Sequence, residues 1–276
     1  MTNLYGHAVC VVDLETLMHH LPIDRHYACG LKEQIPIVTL ATTLGREGIS
    51  AFRFDFAGNR ESEGSFMYGN YRREAEDLRA VIRHFRNYQH LITAILGHSK
   101  GLGNVVLLYA SKYNDVPTII NISGRFHLEK GMEGRLGKYF LQRIKQNGFI
   151  DVKNRKSFIH SFTGQFEYRV TQESLMDRLT TDTRATCLSI DQNCRVLTIH
   201  GSMDKIVPAK DALEFARFIR NHKLHIIEGG DHEYTAHQDE LATVVLDFVK
   251  AVREDRNTAK LLQSCERVVN FIKARI

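Results

Sequence analysis

The chain has 276 residues, of which 43% are hydrophobic and 25% charged, a mixture ordinary for a folded protein and a length sufficient for one large domain. Its formal net charge is +5, but Lys and Arg are interspersed with Asp and Glu instead of being gathered into a basic stripe. These figures exclude a disordered, low-complexity chain and argue against a nucleic-acid partner.

The cysteines are far apart, and no two of them have the CxxC spacing of a zinc or redox site. They are Cys10, Cys29, Cys187, Cys194 and Cys265. No apolar run approaches the ~20 residues that cross a membrane, and no secretory signal opens the sequence. We therefore expect a cytoplasmic protein with reduced thiols and no membrane span.

The order of elements along the chain predicts an α/β fold. Strand candidates lie at residues 50–54, 91–96, 118–122, 196–200 and 224–227, with a weaker candidate at 8–12. Helix candidates between and after them lie at residues 38–47, 71–85, 104–109 and 241–252, and their apolar stripes are packing surfaces. Such alternation is typical of a mostly parallel sheet flanked by helices.

We divide the chain into an atypical N-terminal segment (1–36), an α/β domain (37–256) and a C-terminal amphipathic helix (257–276). Residues 124–191 interrupt the alternation because they are charged, rich in helix formers and without a strong buried strand. We interpret them as a helical cap inserted between two strands. Ligands bind at the carboxyl ends of strands in open α/β sheets, so a cap there would shape the site. The alternative is a surface excursion without a role in the site.

The C-terminal segment has an apolar helical face that consists of Leu261, Leu262, Cys265, Val268, Val269 and Ile272. This face predicts packing on the body of the protein or on a second subunit, as in a homodimer. Binding to a membrane surface is the alternative, but the flanking cationic residues are few.

Gly97, His98, Ser99, Lys100 and Gly101 form a GxSxG pentapeptide between a predicted strand and a predicted helix. That order is the one that a nucleophile elbow requires, with the serine on a strained strand-to-helix turn. We expect the glycines to be there because side chains at Gly97 and Gly101 would collide with neighbouring backbone. The pattern predicts Ser99 as a nucleophile.

A serine hydroxyl needs a nearby base, and that base needs a carboxylate to orient it. Asp204 and His232 each follow the end of a predicted strand. The chain order Ser, Asp, His is the order of one lineage of hydrolases. We therefore predict Ser99 as nucleophile, His232 as general base and Asp204 as the acid that orients it.

Other residues compete for these roles. His98 is the variable residue of the elbow and is expected to point away from the pocket, and His200 lies in a strand end, where a satisfied core polar group is expected. Asp231 is adjacent to His232 and cannot easily fold back onto its neighbour's ring, so Asp204 is preferred.

The sequence resembles the α/β-hydrolase superfamily. The motifs that carry the resemblance are FRFDFAGNRESEGSF from residue 52, GHSKG from 97, GSMDKIVP from 201 and EGGDHEY from 228. They are similar to serine aminopeptidase-like and feruloyl (cinnamoyl) esterase-like serine hydrolases, including plant members, over residues 38–250. The resemblance implies a carboxylic-ester hydrolase that acts on a small-molecule ester through an acyl-enzyme, without a metal or organic cofactor.

The sequence departs from this family where the oxyanion hole is expected. The backbone N–H of Lys100 supplies a first donor. A second donor normally comes from a loop that begins with a His-Gly pair, but Gly6 and His7 stand in reverse order in a segment foreign to the family. Smaller departures are Arg60 where glycine is usual, Leu102 within the glycine run, and an apparent insertion at 157–163. These departures motivate a second hypothesis, a hydrolase-fold protein that binds a ligand or partner with little or no turnover.

Overall fold

A computed structural model describes residues 8–13, 35–59, 62–154 and 166–273. Its strands are β1 (Ala8–Asp13), β2 (Ser50–Phe54), β3 (Leu91–His98), β4 (Thr118–Ile122), β5 (Phe149–Asn154), β6 (Phe166–Thr171), β7 (Arg195–Gly201) and β8 (His222–Ile227). Its helices are α1 (Ile35–Arg46), α2 (Tyr71–Asn87), α3 (Ser99–Tyr113), α4 (Glu133–Leu136), α5 (Phe140–Asn147), α6 (Gln172–Leu179), α7 (Thr183–Leu188), α8 (Lys210–Phe218) and α9 (Gln238–Lys273). The predicted α/β fold is confirmed, and two of the predicted strands coincide with β2 and β4 to the residue.

The main sheet has the strand order β2-β1-β3-β4-β7-β8. Strands β3, β4, β7 and β8 are mutually parallel, whereas β1 runs antiparallel to both of its neighbours. The prediction of a mostly parallel sheet is therefore correct, with one reversed strand next to the edge strand β2.

Both faces of the sheet are buried, so neighbouring residues of a strand enter different cores. Ile95 packs in the core beneath α2 and α3, and Leu96 packs in the core beneath α1 and α9. The same division separates Ile119 from Ile120. Strands covered on both sides are continuous apolar runs rather than alternating ones, as is expected of parallel strands.

The cap lies between β4 and β7, as predicted, but it is not wholly helical. Strands β5 and β6 form an antiparallel two-stranded sheet within it, which corrects the expectation that the cap lacks a strong buried strand. Ile150, Val152, Tyr168 and Val170 are buried at every second position of this ribbon. The ribbon has one buried face and one polar face, so its sequence alternates between apolar and polar residues.

The C-terminal helix predicted from residue 257 is the continuation of α9, which runs without a break from Gln238 to Lys273. Its first half packs on the body through residues as far as Val252, which is 5% exposed. Leu262, on the predicted apolar face, is 61% exposed. A homodimer formed through this face stays a prediction, as do the domain boundaries. Within the described ranges, no helix combines the length and apolarity that a membrane crossing needs.

Candidate active site

Ser99 stands where β3 ends and α3 begins, and its backbone is in the left-handed region with a φ of 72°. This region is uncommon for residues other than glycine, and it is strained. A sharp strand-to-helix turn of this kind lifts the serine side chain out of the sheet edge. The structure therefore gives Ser99 the geometry of a nucleophile elbow.

The expected steric role of the glycines is wrong for Gly101. A Cβ added at Gly101 would meet no described atom within 4 Å. The close contact is instead at Gly103, where a Cβ would lie 2.3 Å from Asn121 Oδ1 and 2.9 Å from Gly124 Cα. Helix α3 lies close to Asn121 of β4 at this later position, and the glycine that permits the approach lies beyond the pentapeptide.

The structure brings Ser99, His232 and Asp204 into one hydrogen-bonded row. Ser99 Oγ lies 2.7 Å from His232 Nε2, and His232 Nδ1 lies 2.7 Å from Asp204 Oδ2. All three residues are buried, with exposed fractions of 8%, 5% and 8% respectively. Asp204 follows β7 and His232 follows β8, so parallel neighbouring strands deliver both to the same edge as Ser99.

Asp204 is held as a carboxylate. Burial alone would raise its pKa, but hydrogen bonds from His200 and His232 and from the Val207 backbone outweigh burial and hold the pKa below its usual range. Its Oδ1 accepts the backbone N–H groups of Ile206 and Val207, both at 2.8 Å. Because a carboxylate can only accept at Oδ2, the proton of a neutral His232 is on Nδ1, and Nε2 is free to accept from Ser99.

The competing residues have other partners. Asp231 Oδ1 and Oδ2 accept from the N–H and hydroxyl of Thr235 at 2.8 and 2.7 Å. His98 is 1% exposed, and its Nε2 lies 2.8 Å from the backbone oxygen of His232 rather than from Ser99. His200 is fully buried, with Nε2 2.9 Å from the Val207 oxygen, but its Nδ1 has no partner among the described residues.

Sequence reasoning missed the residues that tie the site loops together. The hydroxyl of Tyr234, two residues after His232, lies 2.7 Å from Ser123 Oγ at the end of β4. Arg125, at the start of the cap, donates to the backbone oxygen of Ile206 in the loop that carries Asp204. A tyrosine after a histidine and an arginine in a charged segment give no signal of these contacts in the sequence.

The reversed strand changes the environment of the expected oxyanion hole. The N–H of Lys100 lies in the first turn of α3, where backbone donors have no helical acceptor, so it fits the first donor. At the end of β1, Asp13 pairs with Leu91 at the opposite edge from Ser99, whereas Ala8 pairs with Gly97 beside the elbow. The carboxyl end of β1 therefore lies away from Ser99, whereas the family resemblance implies a donor loop that follows a strand ending beside the nucleophile. Gly6, His7, Arg60 and the insertion at 157–163 lie outside the described residues.

The described residues contain no group of three or more His, Cys, Asp or Glu arranged to hold a metal ion. Cys187 and Cys194 are free and buried, and burial raises the pKa of each thiol to about 12. The other three cysteine side chains lie outside the described part of the chain.

A scan against protein-family models matches residues 36–239 to the model described as serine aminopeptidase, S33. The chain belongs to this family of α/β-hydrolases. The match spans the whole interval from α1 to the start of α9 and includes the Ser99, Asp204 and His232 positions. The comparison with curated proteins found no match.

Solved structures support the α/β-hydrolase fold of this family member. Est1E from Butyrivibrio proteoclasticus with ferulic acid bound has a TM-score of 0.65 at 21% identity, covering 82% of this chain and 86% of that one. The esterase domain of a Rhodothermus marinus protein gives 0.57 at 20% identity, with 81% and 82% covered. The α/β-hydrolase domain-containing protein 10 from mouse gives 0.58 at 17% identity, with 79% and 84% covered. The chain is thus a hydrolase-family protein with this fold, whereas the predicted likeness to plant members stays a prediction.

Proposed function

We propose that this protein is a serine hydrolase that cleaves carboxylic esters of a small acyl substrate through an acyl-enzyme on Ser99. The observation that carries the proposal is the row from Ser99 through His232 to Asp204, with both contacts at 2.7 Å. Such a row is the arrangement that activates a serine hydroxyl in unrelated hydrolase folds.

In the first half of the reaction, His232 Nε2 takes the proton of the Ser99 hydroxyl while Oγ attacks the ester carbonyl carbon. The tetrahedral intermediate carries its negative charge on the former carbonyl oxygen, where the N–H of Lys100 donates. His232 then returns the proton to the leaving alkoxide oxygen as the carbon–oxygen bond breaks, which releases the alcohol and leaves the acyl group on Ser99.

In the second half, water attacks the acyl carbon and gives a proton to His232 Nε2. The bond between the acyl carbon and Ser99 Oγ breaks, and the proton passes to Oγ as the carboxylic acid leaves. Asp204 stays ionised throughout and stabilises the imidazolium, in agreement with the hydrogen bonds that hold its pKa low.

The reversed β1 favours one alternative, a hydrolase-fold protein that binds a small ligand or partner with little or no turnover. Losing one oxyanion donor typically costs about 2.7 to 4 kcal/mol of transition-state stabilisation, or roughly 100- to 1,000-fold in rate. Under this alternative, ligands raise the melting temperature but no ester is consumed.

The test is hydrolysis of p-nitrophenyl esters with acyl chains of increasing length and of hydroxycinnamoyl esters, the latter because ferulic acid is bound in the Est1E structure. We expect saturable hydrolysis of at least one ester by the purified chain. Asp204→Asn should lower kcat by roughly 10⁴-fold because it imposes the wrong tautomer on His232. Equal rates in the wild type and in Ser99→Ala would contradict the proposal.

A further inference from the structure

His200 approaches the same carboxylate oxygen that orients His232. It is the penultimate residue of β7, four positions before Asp204, and it is 0% exposed. Its Nε2 lies 2.9 Å from the backbone oxygen of Val207 and 3.3 Å from Asp204 Oδ2. A carbonyl and a carboxylate can only accept hydrogen bonds, so these contacts require a proton on His200 Nε2.

This N–H completes the set of donors around Asp204. Oδ1 is occupied by two backbone N–H groups, those of Ile206 and Val207. Oδ2 receives the Nδ1–H of His232 at 2.7 Å and is also close to His200 Nε2. The single N–H of His200 thus spans the loop from its beginning at Asp204 to its end at Val207.

We propose that His200 is a positioning residue, whose Nε2–H holds the Asp204 loop in place. The same N–H partly stabilises the negative charge of Oδ2, which would otherwise interact with His232 alone. The proposal rests on the proposed function in giving Asp204 its role toward His232. It does not make His200 a catalytic residue, because its Nε2 contacts Val207 and Asp204 and not Ser99. This role adds to the predicted core position of His200, which the structure places at 0% exposure with a hydrogen bond to Val207.

Other charged and titratable groups also act on Asp204 and His232. They are His98 on the elbow, Asp231 beside His232, Tyr234 in the loop after β8, and Arg125 at the start of the cap, while Glu233 acts in turn on His98 and Tyr234. A substitution at residue 200 leaves all five side chains in place. A change in the pH profile between variants at this position therefore reports on His200.

Two variants of the full chain separate positioning from packing. His200→Gln keeps an amide N–H near the position of Nε2, and His200→Leu keeps the bulk but removes the donor. The readout is the rate of Ser99 labelling by a fluorophosphonate from pH 5 to 9. In His200→Leu we expect the rate at pH 7 to fall roughly 10- to 100-fold because the row is misaligned. The acidic midpoint of the profile should also move to higher pH, since the full charge of Oδ2 then acts on His232. His200→Gln should keep the midpoint and most of the rate.

Three results would overturn the proposal: a His200→Leu profile that matches the wild type, a lower rate with an unmoved midpoint, or a His200→Gln variant as impaired as His200→Leu. A second measurement does not depend on turnover or on the folding of the leucine variant. In ¹⁵N-histidine NMR of the wild type at pH 7.5, the signals lost in His200→Gln should show the proton on Nε2, and a proton on Nδ1 would refute the contact. A wild-type protein that is not labelled at all, with the Nε2–H tautomer present, would refute the proposed function and not the His200 contact.

Discussion

Two buried histidines near Ser99, His232 and His98, have different hydrogen-bond partners at Nε2. Nε2 of His232 meets the Ser99 hydroxyl at 2.7 Å, whereas Nε2 of His98 meets the His232 carbonyl at 2.8 Å. Burial lowers the pKa of His98, so its ring is neutral and donates from Nε2. His98 therefore holds the loop that carries His232. The ring that is adjacent to the nucleophile in sequence is not the one that faces it.

His222, at the start of β8, allows a prediction about acid stability. Burial lowers its pKa to about 4, below the value of about 6.5 of an unfolded histidine. Between these two values the unfolded chain binds more protons than the native protein, so the free energy of unfolding falls as the pH falls. His222→Gln keeps a polar partner for Thr198 but cannot take up this proton. When the pH falls from 7 to 5, we expect the free energy of unfolding of His222→Gln to drop by about 1 kcal/mol less than that of the wild type.

The measurement is chemical denaturation at both pH values. His84→Gln, at an exposed position in α2, is the control for the loss of an imidazole. Equal pH dependence in the wild type and His222→Gln would show that His222 does not contribute to acid destabilisation.

At the scale of elements, α3 packs closely against β4 just after the elbow. Gly103 is the residue that permits this contact, because a Cβ there would meet Asn121 and Gly124. Asn121 is fully buried beside Gly97 in the sheet, so it cannot withdraw into solvent. We expect Gly103→Ala to lower the free energy of unfolding by about 1 to 3 kcal/mol through overpacking.

Gly101→Ala is the matched control on the same helix. Its Cβ would enter open space, and alanine favours a helix by up to ~1 kcal/mol over glycine. Urea denaturation of the two variants checks the difference. Equal destabilisation by both substitutions would contradict the assignment of the close contact to Gly103.

The sequence predicts those elements that carry a local signal. Strand β4 is rich in β-branched residues and lies between Pro117 and Gly124, and β3 leads directly into the GxSxG turn, so both could be placed. The ribbon of β5 and β6 was missed although its buried side chains alternate with charged ones, the pattern of a half-buried strand, because the charged and helix-forming residues around it favoured a helical interpretation. The role of Gly103 depends on a neighbouring strand and leaves no mark in the local pattern.

At the scale of the whole molecule, the site residues could be predicted to meet because each follows a strand of one parallel sheet. Residues after β3, β7 and β8 reach the same edge whatever the lengths of the intervening segments. The direction of β1 could not be predicted, because the sequence of a six-residue strand does not specify whether its neighbours run parallel or antiparallel to it. The reversal bears on the proposed function, since it separates the carboxyl end of β1 from Ser99.

The most direct test of the account is mass spectrometry of the full chain after reaction with a fluorophosphonate at pH 7.5. We predict one adduct, on the peptide that contains Ser99. The adduct should be lost in Ser99→Ala and kept in Ser111→Ala, a control serine on the same helix. The absence of an adduct on the wild type, or an adduct on a different residue, would contradict the claim that Ser99 is the nucleophile.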